Sequence, residues 1–371
     1  MSHLEVIRQS GAARRGRLQT AHGTIDTPAF MPVGTLATVK GITPRQLRED
    51  IGAQIILANA YHLALRPGSR QIQELGGLHR FMGWDGPILT DSGGYQIFSL
   101  AQFRKVTDAG VEFRSHLDGS KVFLTPERVI EIQTELGVDI LMVLDECAPP
   151  EASRREAEVA ATRTLQWAER SRQQPTLPER LVFAIVQGGL FADLRRQQAS
   201  DLVGLDYPGY AVGGLSIGED RNITMSLAAE TIAALPLDRP RYFMGVGLPE
   251  DLVRFAGIGF DMFDCVVPTR NGRNGTLFTS HGRLNIRLAR NAMDTRPVDE
   301  SCDCYACASF SRAYLRHLFA NNEMLGAQMA SLHNLRFYQT LMRDIRAAIE
   351  RNDYDSWAAS RLQQFAEGER E

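Results

Sequence analysis

Over roughly the first three quarters of the chain, short apolar runs that end in Asp, Gln or glycine alternate with longer, charged segments. The runs cover residues 29–33, 54–58, 87–89, 139–144, 181–186, 209–212, 241–244 and 259–263. Between them, segments 43–51, 125–136, 151–173, 191–203, 222–235 and 250–255 carry apolar positions at helical spacing and predict amphipathic helices. Alternation of this kind requires parallel strands joined by right-handed crossovers. Eight such units predict an α/β fold, a (β/α)8 TIM barrel, whose polar site gathers where the strands end. The competitor is a doubly wound open sheet, disfavoured because no glycine-rich dinucleotide fingerprint follows the first strand. Residues 3–30 read as short strands and turns punctuated by Gly16, Gly23 and Pro28. After Phe278 the alternation stops. Residues 279–293 read as a hairpin or loop, 309–366 as helical, and 367–371 as a polar tail.

A chain of 371 residues with 44% hydrophobic and 23% charged content can bury a large core and has the composition of a soluble globular protein. Its net charge of -3 excludes a uniformly basic nucleic-acid binder. Any polynucleotide site must therefore be local. The best candidate is the span from Cys265 to Met293, which holds Arg270, Arg273, Arg283, Arg287 and Arg290 and no acidic residue. There is no apolar run long enough for a membrane span, and the start has no signal-peptide core, so a cytoplasmic protein with no membrane partner is expected.

Three of the five cysteines, Cys302, Cys304 and Cys307, lie within six residues. That spacing is too tight for a disulfide framework and suits a metal. A histidine, His317 or His333, can complete a Cys3His set. Such a set fills all four positions around Zn2+ and leaves none for water, so the expected zinc is structural. The alternative is three reduced thiols without metal.

The stretch 259–278, GFDMFDCVVPTRNGRNGTLF, begins as a buried strand that contains two aspartates. Side chains alternate faces along a strand, so Asp261 and Asp264 point opposite ways and at most one can share a given pocket. The following residues, 268–273, are expected to form a flexible basic turn able to hold an anion or a polynucleotide. Other strand ends carry Asp91-Ser92-Gly93-Gly94, Asp145-Glu146-Cys147, Gln187-Gly188-Gly189 and Gly213-Gly214-Leu215. Each alone is most simply a loop cap. In a barrel, however, Asp91, Asp145, Gln187, the Gly214 backbone and Asp264 converge on one pocket. Several carboxylates without a histidine pair or a lysine suit glycosidic chemistry, one acting as nucleophile and another as acid/base. A carboxylate beside a glutamine and free backbone groups also suits the edge of guanine.

Seven motifs make the pattern specific. They are DSGGYQ at 91–96, DEC at 145–147, VQGG at 186–189, GGLSIGE at 213–219, MGVGLPED at 244–251, FDCVVPTRNGRNG at 263–275, and CDCYAC at 302–307 with His333. From about residue 30 to the C-terminal helices, the chain resembles the bacterial tRNA-guanine transglycosylases (queuine tRNA-ribosyltransferases). The resemblance implies exchange of guanine at the wobble position of tRNAs with GUN anticodons for 7-aminomethyl-7-deazaguanine (preQ1). Asp264 matches the nucleophile that attacks ribose C1′, and Asp91 the general acid/base. Ser92, Gly93, Asp145, Gln187 and the Gly214 backbone match groups that hold and read the purine. Leu215 and Glu219 match the sensors of the incoming aminomethyl group, and Tyr95 and Met244 the walls that sandwich the ring.

The resemblance also implies two RNA-binding loops. One comprises Gly245, Val246, Gly247, Leu248, Pro249, Glu250 and Asp251, and the other Thr269, Arg270, Asn271, Gly272 and Arg273. It selects His333 over His317 as the fourth ligand of one structural Zn2+ and implies a homodimer. Cys147 and Ile217 fit the bacterial form. The implied division is 1–28 as short strands on the barrel, 29–278 as the catalytic barrel, 279–335 as a zinc-binding subdomain with the basic segment, and 336–371 as C-terminal helices. Two rivals remain at this point, a noncatalytic tRNA-binding paralogue and a zinc-dependent barrel hydrolase. The first should lack Asp264 or Asp91, and the second needs an open metal site at the strand ends.

Overall fold

A computed structural model describes residues 3–94 and 104–368; the expected ring wall Tyr95 lies outside the described residues. An antiparallel sheet of β1 (Leu4–Ser10), β2 (Ala13–Thr20) and β3 (Gly23–Thr27) leads into a closed barrel. Its first strands are β4 (Ala29–Gly34), β5 (Ile56–Asn59) and β6 (Ile88–Asp91). An antiparallel insert of β7 (Arg104–Thr107), β8 (Gly110–Arg114) and β9 (Lys121–Leu124) follows. The ring continues with β10 (Ile140–Met142), β11 (Leu181–Val186), β12 (Gly209–Val212), β13 (Arg241–Phe243) and β14 (Met262–Cys265). All eight barrel strands are parallel to their neighbours, and the ring closes where β14 pairs with β4.

Barrel strands are covered on both faces, which is why they read as unbroken apolar runs; every residue of β11 is buried. The helices outside begin and end on local signals. Pro126–Leu136 starts on the Thr125 side chain, which accepts the Arg128 N–H, and stops at Gly137 with φ 78°. Arg154–Arg172 opens on a capping box of Ser153 and Glu156. Among the described residues no helix is long and apolar enough to cross a membrane.

The eight expected runs coincide with the eight barrel strands. The largest displacement is the last, expected at 259–263 and found at Met262–Cys265. Asp261 explains it. Its carboxylate accepts from the buried Arg14 guanidinium, Nε at 2.9 Å, and from the Arg241 N–H at 2.7 Å. Its carbonyl accepts the Ala29 N–H at 2.8 Å. Asp261 thus fastens the seam of the barrel, while Asp264, on the other side of the strand, faces the cavity.

Four features depart from expectation. The β7–β9 insert was not foreseen, because one of its faces is open and its apolar positions are sparse. Residues 268–273 are not a flexible turn but lie inside a helix, Val267–Asn274. Pro268 is compatible with a first helical turn, and Gly272 lets the helix press on its neighbour, since a Cβ there would stand 2.9 Å from Ser331 N. That neighbour, Met324–Arg351, runs unbroken through residue 335, where a boundary was expected. Finally, the hairpin of β15 (Thr276–Thr279) and β16 (Gly282–Asn285) begins slightly before residue 279.

Candidate active site

The C-terminal ends of the barrel strands surround a cavity of about 390 Å³, within the range of small-molecule sites. Asp91, Ser92, Gly93, Asp145, Gln187, Gly214, Leu215, Met244, Gly245 and Asp264 line it, with Arg270 at its edge. All eight strands contribute to the lining, six of them through these residues, so the alternation read from the sequence brings the distant carboxylates together.

Asp91 ends β6. Its Oδ2 accepts from Asn59 Nδ2 at 2.5 Å and its Oδ1 from the Ala60 N–H at 3.2 Å. Burial, reinforced by the nearby charges of Asp264 and Asp145, pushes its pKa up to about 8. At neutral pH this carboxyl carries a proton and is equipped to act as an acid.

Asp264, on β14, differs. Its Oδ1 accepts from Tyr242 Oη at 2.5 Å and from the Gly245 N–H at 2.8 Å. Burial raises its pKa, and these two donors work against that rise by stabilising the anion. Both acids accept two hydrogen bonds, but Asp91 also carries the repulsion of Asp264 and Asp145, so of the two Asp264 holds a negative charge more readily.

Asp145 completes a recognition wall. It accepts from Gln187 Nε2 at 2.7 Å and Ser92 Oγ at 3.1 Å, and burial pushes its pKa up to about 6. Gln187 Oε1 is buried without a partner, an acceptor left over for a bound molecule. Glycines set the width of the slot. A Cβ on Gly94 would lie 2.6 Å from Asp145 Oδ1, and one on Gly214, at φ 66°, 2.4 Å from Gln187 Oε1.

The remaining expected residues divide. Glu219 does not line the cavity. Its carboxylate turns back to the Ser216 and Ile217 amides (3.0 Å to the latter) and to Thr224 Oγ1 at 2.6 Å, which fixes the loop that does. In segment 245–251 only Gly245 reaches the cavity; Val246, Gly247, Pro249 and Asp251 are buried. Asp251 pairs with Arg221 at 3.0 Å and Glu250 with Arg283 at 3.2 Å. In helix Val267–Asn274, Arg270 is exposed beside the cavity, Thr269 and Gly272 are buried, and Asn271 and Arg273 are half-buried.

Sequence reasoning missed Tyr242 and Asn59. Tyr242 sits inside an apolar run and reads as core. Asn59 lies one residue past the expected run 54–58 and also caps the helix Ala60–Leu65 through Oδ1, 2.9 Å from His62 N. A polar residue closing a barrel strand was the signal that could have found it.

Outside the barrel mouth, Cys302, Cys304, Cys307 and His333 bring their ligand atoms within 4.8 Å of one another. His333 Nδ1 is 3.2 Å from Cys307 Sγ and 3.6 Å from Cys304 Sγ. Zinc–thiolate bonds of about 2.3 Å in a tetrahedron give edges of this size. His333 Nε2 lies 2.8 Å from the Phe278 carbonyl. That bond takes the ring proton at Nε2 and leaves the Nδ1 lone pair for a metal. The set fits a tetrahedral ion with no open position. His317 is not part of it; its Nδ1 is 3.3 Å from Asn321 Nδ2. A second group, His22, His79 and Asp139, does not fit an ion as well. The two rings stack at 3.7 Å and 19°, so their in-plane lone pairs run side by side instead of converging.

Two buried carboxylates facing one cavity beside an amide-lined slot, at the strand ends of a parallel barrel, form the arrangement that carboxylate-based glycosyl transfer requires. A family model described as queuine tRNA-ribosyltransferase matches residues 9–367. Proteins named queuine tRNA-ribosyltransferase are 54% identical over 357 residues in Aromatoleum aromaticum (96% of each chain) and 55% identical over 341 residues in a Thermoanaerobacter species (92% of this chain, 91% of the relative). A third, from Desulforamulus reducens, is 52% identical over 337 residues, 91% of each chain. This chain belongs to the queuine tRNA-ribosyltransferase family.

Proposed function

We propose that the protein exchanges the guanine at the wobble position of GUN-anticodon tRNAs for preQ1, by double displacement through an Asp264–ribose ester. The observation that carries this reading is the pairing of Asp264 and Asp91 across one cavity, beside a slot of Asp145, Gln187 and Gly214. Asp264 attacks C1′ and the C1′–N9 bond breaks, its electron pair going to the base. The Asp91 proton then neutralises the departing purine. The incoming base gives its proton back to Asp91 and attacks C1′ from the other side, releasing Asp264. Two displacements retain configuration and impose ping-pong order. The target base already lies in an unpaired loop, so extracting it costs less than from a duplex. Arg270 and Arg273, on the helix that follows the catalytic strand, supply phosphate contacts that weaken as salt rises.

The test is incubation with labelled guanine and an anticodon stem-loop. Label should enter the RNA at the wobble position, and a covalent RNA–protein band should survive denaturing electrophoresis. Absence of both would overturn the reading.

The metal proposed for Cys302, Cys304, Cys307 and His333 is Zn2+, which would cross-link the loop to the long helix without touching substrate. His333 and Asn334 bind the hairpin backbone, Asn334 also binds the Pro268 carbonyl at 2.9 Å, and Asp303 pairs with Arg336 at 2.6 Å. Chelation should therefore lower RNA affinity about tenfold or more while guanine still binds. Equal loss of both, followed by filter binding and calorimetry, would contradict a bracing role. We further propose that the protein works in the cytoplasm, where its thiols stay reduced, and as a homodimer. Met293 and Met324, both 88% exposed and outside the barrel, are apolar surface that a second copy would cover.

A further inference from the structure

Beneath the slot lies Arg195, on the helix Ala192–Gly204, with no exposed surface. Its guanidinium gathers three carbonyls: Nε donates to Gly189 O at 2.7 Å, Nη1 to Gly213 O at 3.0 Å and Nη2 to Gly214 O at 3.1 Å. Among the described residues no carboxylate pairs with it at ion-pair distance. Burial lowers its pKa only to about 10, so it remains a cation at neutral pH. A buried, unpaired charge is costly, and neutral donors could hold loops together. The charge therefore calls for another explanation.

Peptide geometry supplies one. In a trans peptide the C=O and the following N–H point in opposite directions. Turning Gly213 O down onto Arg195 turns the Gly214 N–H up, towards the cavity that Gly214 lines. Among the described residues nothing accepts this N–H. A cation on the carbonyl of the same peptide also strengthens its N–H as a donor.

We infer that Arg195 is a positioning residue that aims and polarises the Gly214 amide at the C6 oxygen of the purine. Negative charge collects on that oxygen while the C1′–N9 bond is open, so a preset donor there favours departure of the base. The inference rests on the transferase reading above and deepens it.

The test is steady-state exchange by the wild type and by Arg195→Lys, which keeps the charge and loses the fork. Three acceptor bases are used: guanine, 6-thioguanine (altered only at the C6 acceptor) and hypoxanthine (lacking only the 2-amino group). In the variant KM for guanine should rise about tenfold or more, and the preference for guanine over 6-thioguanine should collapse. KM for tRNA and the preference for guanine over hypoxanthine should stay within about twofold. Equal weakening of all three bases, or an unchanged preference for guanine over 6-thioguanine, would overturn the inference. If the variant does not fold, arginine-labelled wild type gives a second readout by NMR. The solvent-protected guanidinium signal should shift with guanine and shift less with 6-thioguanine; equal shifts would count against it. If the wild type exchanges no guanine at all, it is the transferase reading that fails instead.

Discussion

Asp264→Asn abolishes exchange, with labelled guanine incorporation falling about ten-thousand-fold or more and the covalent RNA band disappearing. The substitution is nearly isosteric, and the amide oxygen can still accept from Tyr242 and Gly245, so the barrel and its slot should survive. What is lost is the anion. An amide cannot form the ester to C1′, and the other acids nearby are committed elsewhere, Asp145 to Gln187 and Ser92. Asp261 is locked to Arg14 on the other side of the strand, and Asp91 holds a proton. RNA affinity, measured by filter binding, should change little. Exchange above about one per cent of wild type would show that attack does not pass through this residue.

Asp91→Asn should lower exchange about a hundred- to ten-thousand-fold, the usual reach of a general acid/base. Because the active form is protonated, wild-type cleavage of the tRNA–guanine bond should decline as pH rises through about 8. The variant should lack that limb. The same shift affects stability. A carboxyl with a folded pKa of about 8, above its unfolded value of about 3.9, binds an extra proton in the folded state between those limits. Folding therefore weakens as pH rises from about 4 to about 8 and is flat beyond. Asparagine removes that dependence. Its Tm should exceed the wild type's at pH 8, by a margin that closes near pH 4, as calorimetry would show. A margin independent of pH would mean that Asp91 is already ionised in the native protein.

The barrel was legible because parallel strands buried on both faces are short apolar runs, and the helices between them carry ordinary caps. The carboxylates were legible because each closes such a run. The β7–β9 insert was not: an open, half-polar sheet leaves too few apolar positions to stand out from a loop. The helix at 267–274 was hidden by Pro268, Gly272 and Gly275, residues that read as a turn when nothing shows the long helix against which Gly272 packs. Tyr242 was hidden for a different reason. Its ring belongs to the core and only its hydroxyl reaches Asp264, a division within one side chain that no hydrophobic pattern records. Arg195 likewise looks like one more charge on an amphipathic helix until three carbonyls from two loops are seen to meet it.

The strand that bears Asp264 is also the seam of the ring, held to β4 and to Arg14 and followed by a helix that leans on Met324–Arg351. A ribosome makes those partners at opposite times, the first early and the last near the finish. The strand's own partners are thus complete as soon as it is made, and only the helix that follows it waits for residues 324–351. The last support of the site's edge therefore comes from the far end of the sequence: a chain stopped before residue 324 has the carboxyl's own donors but leaves the helix Val267–Asn274 without its backing.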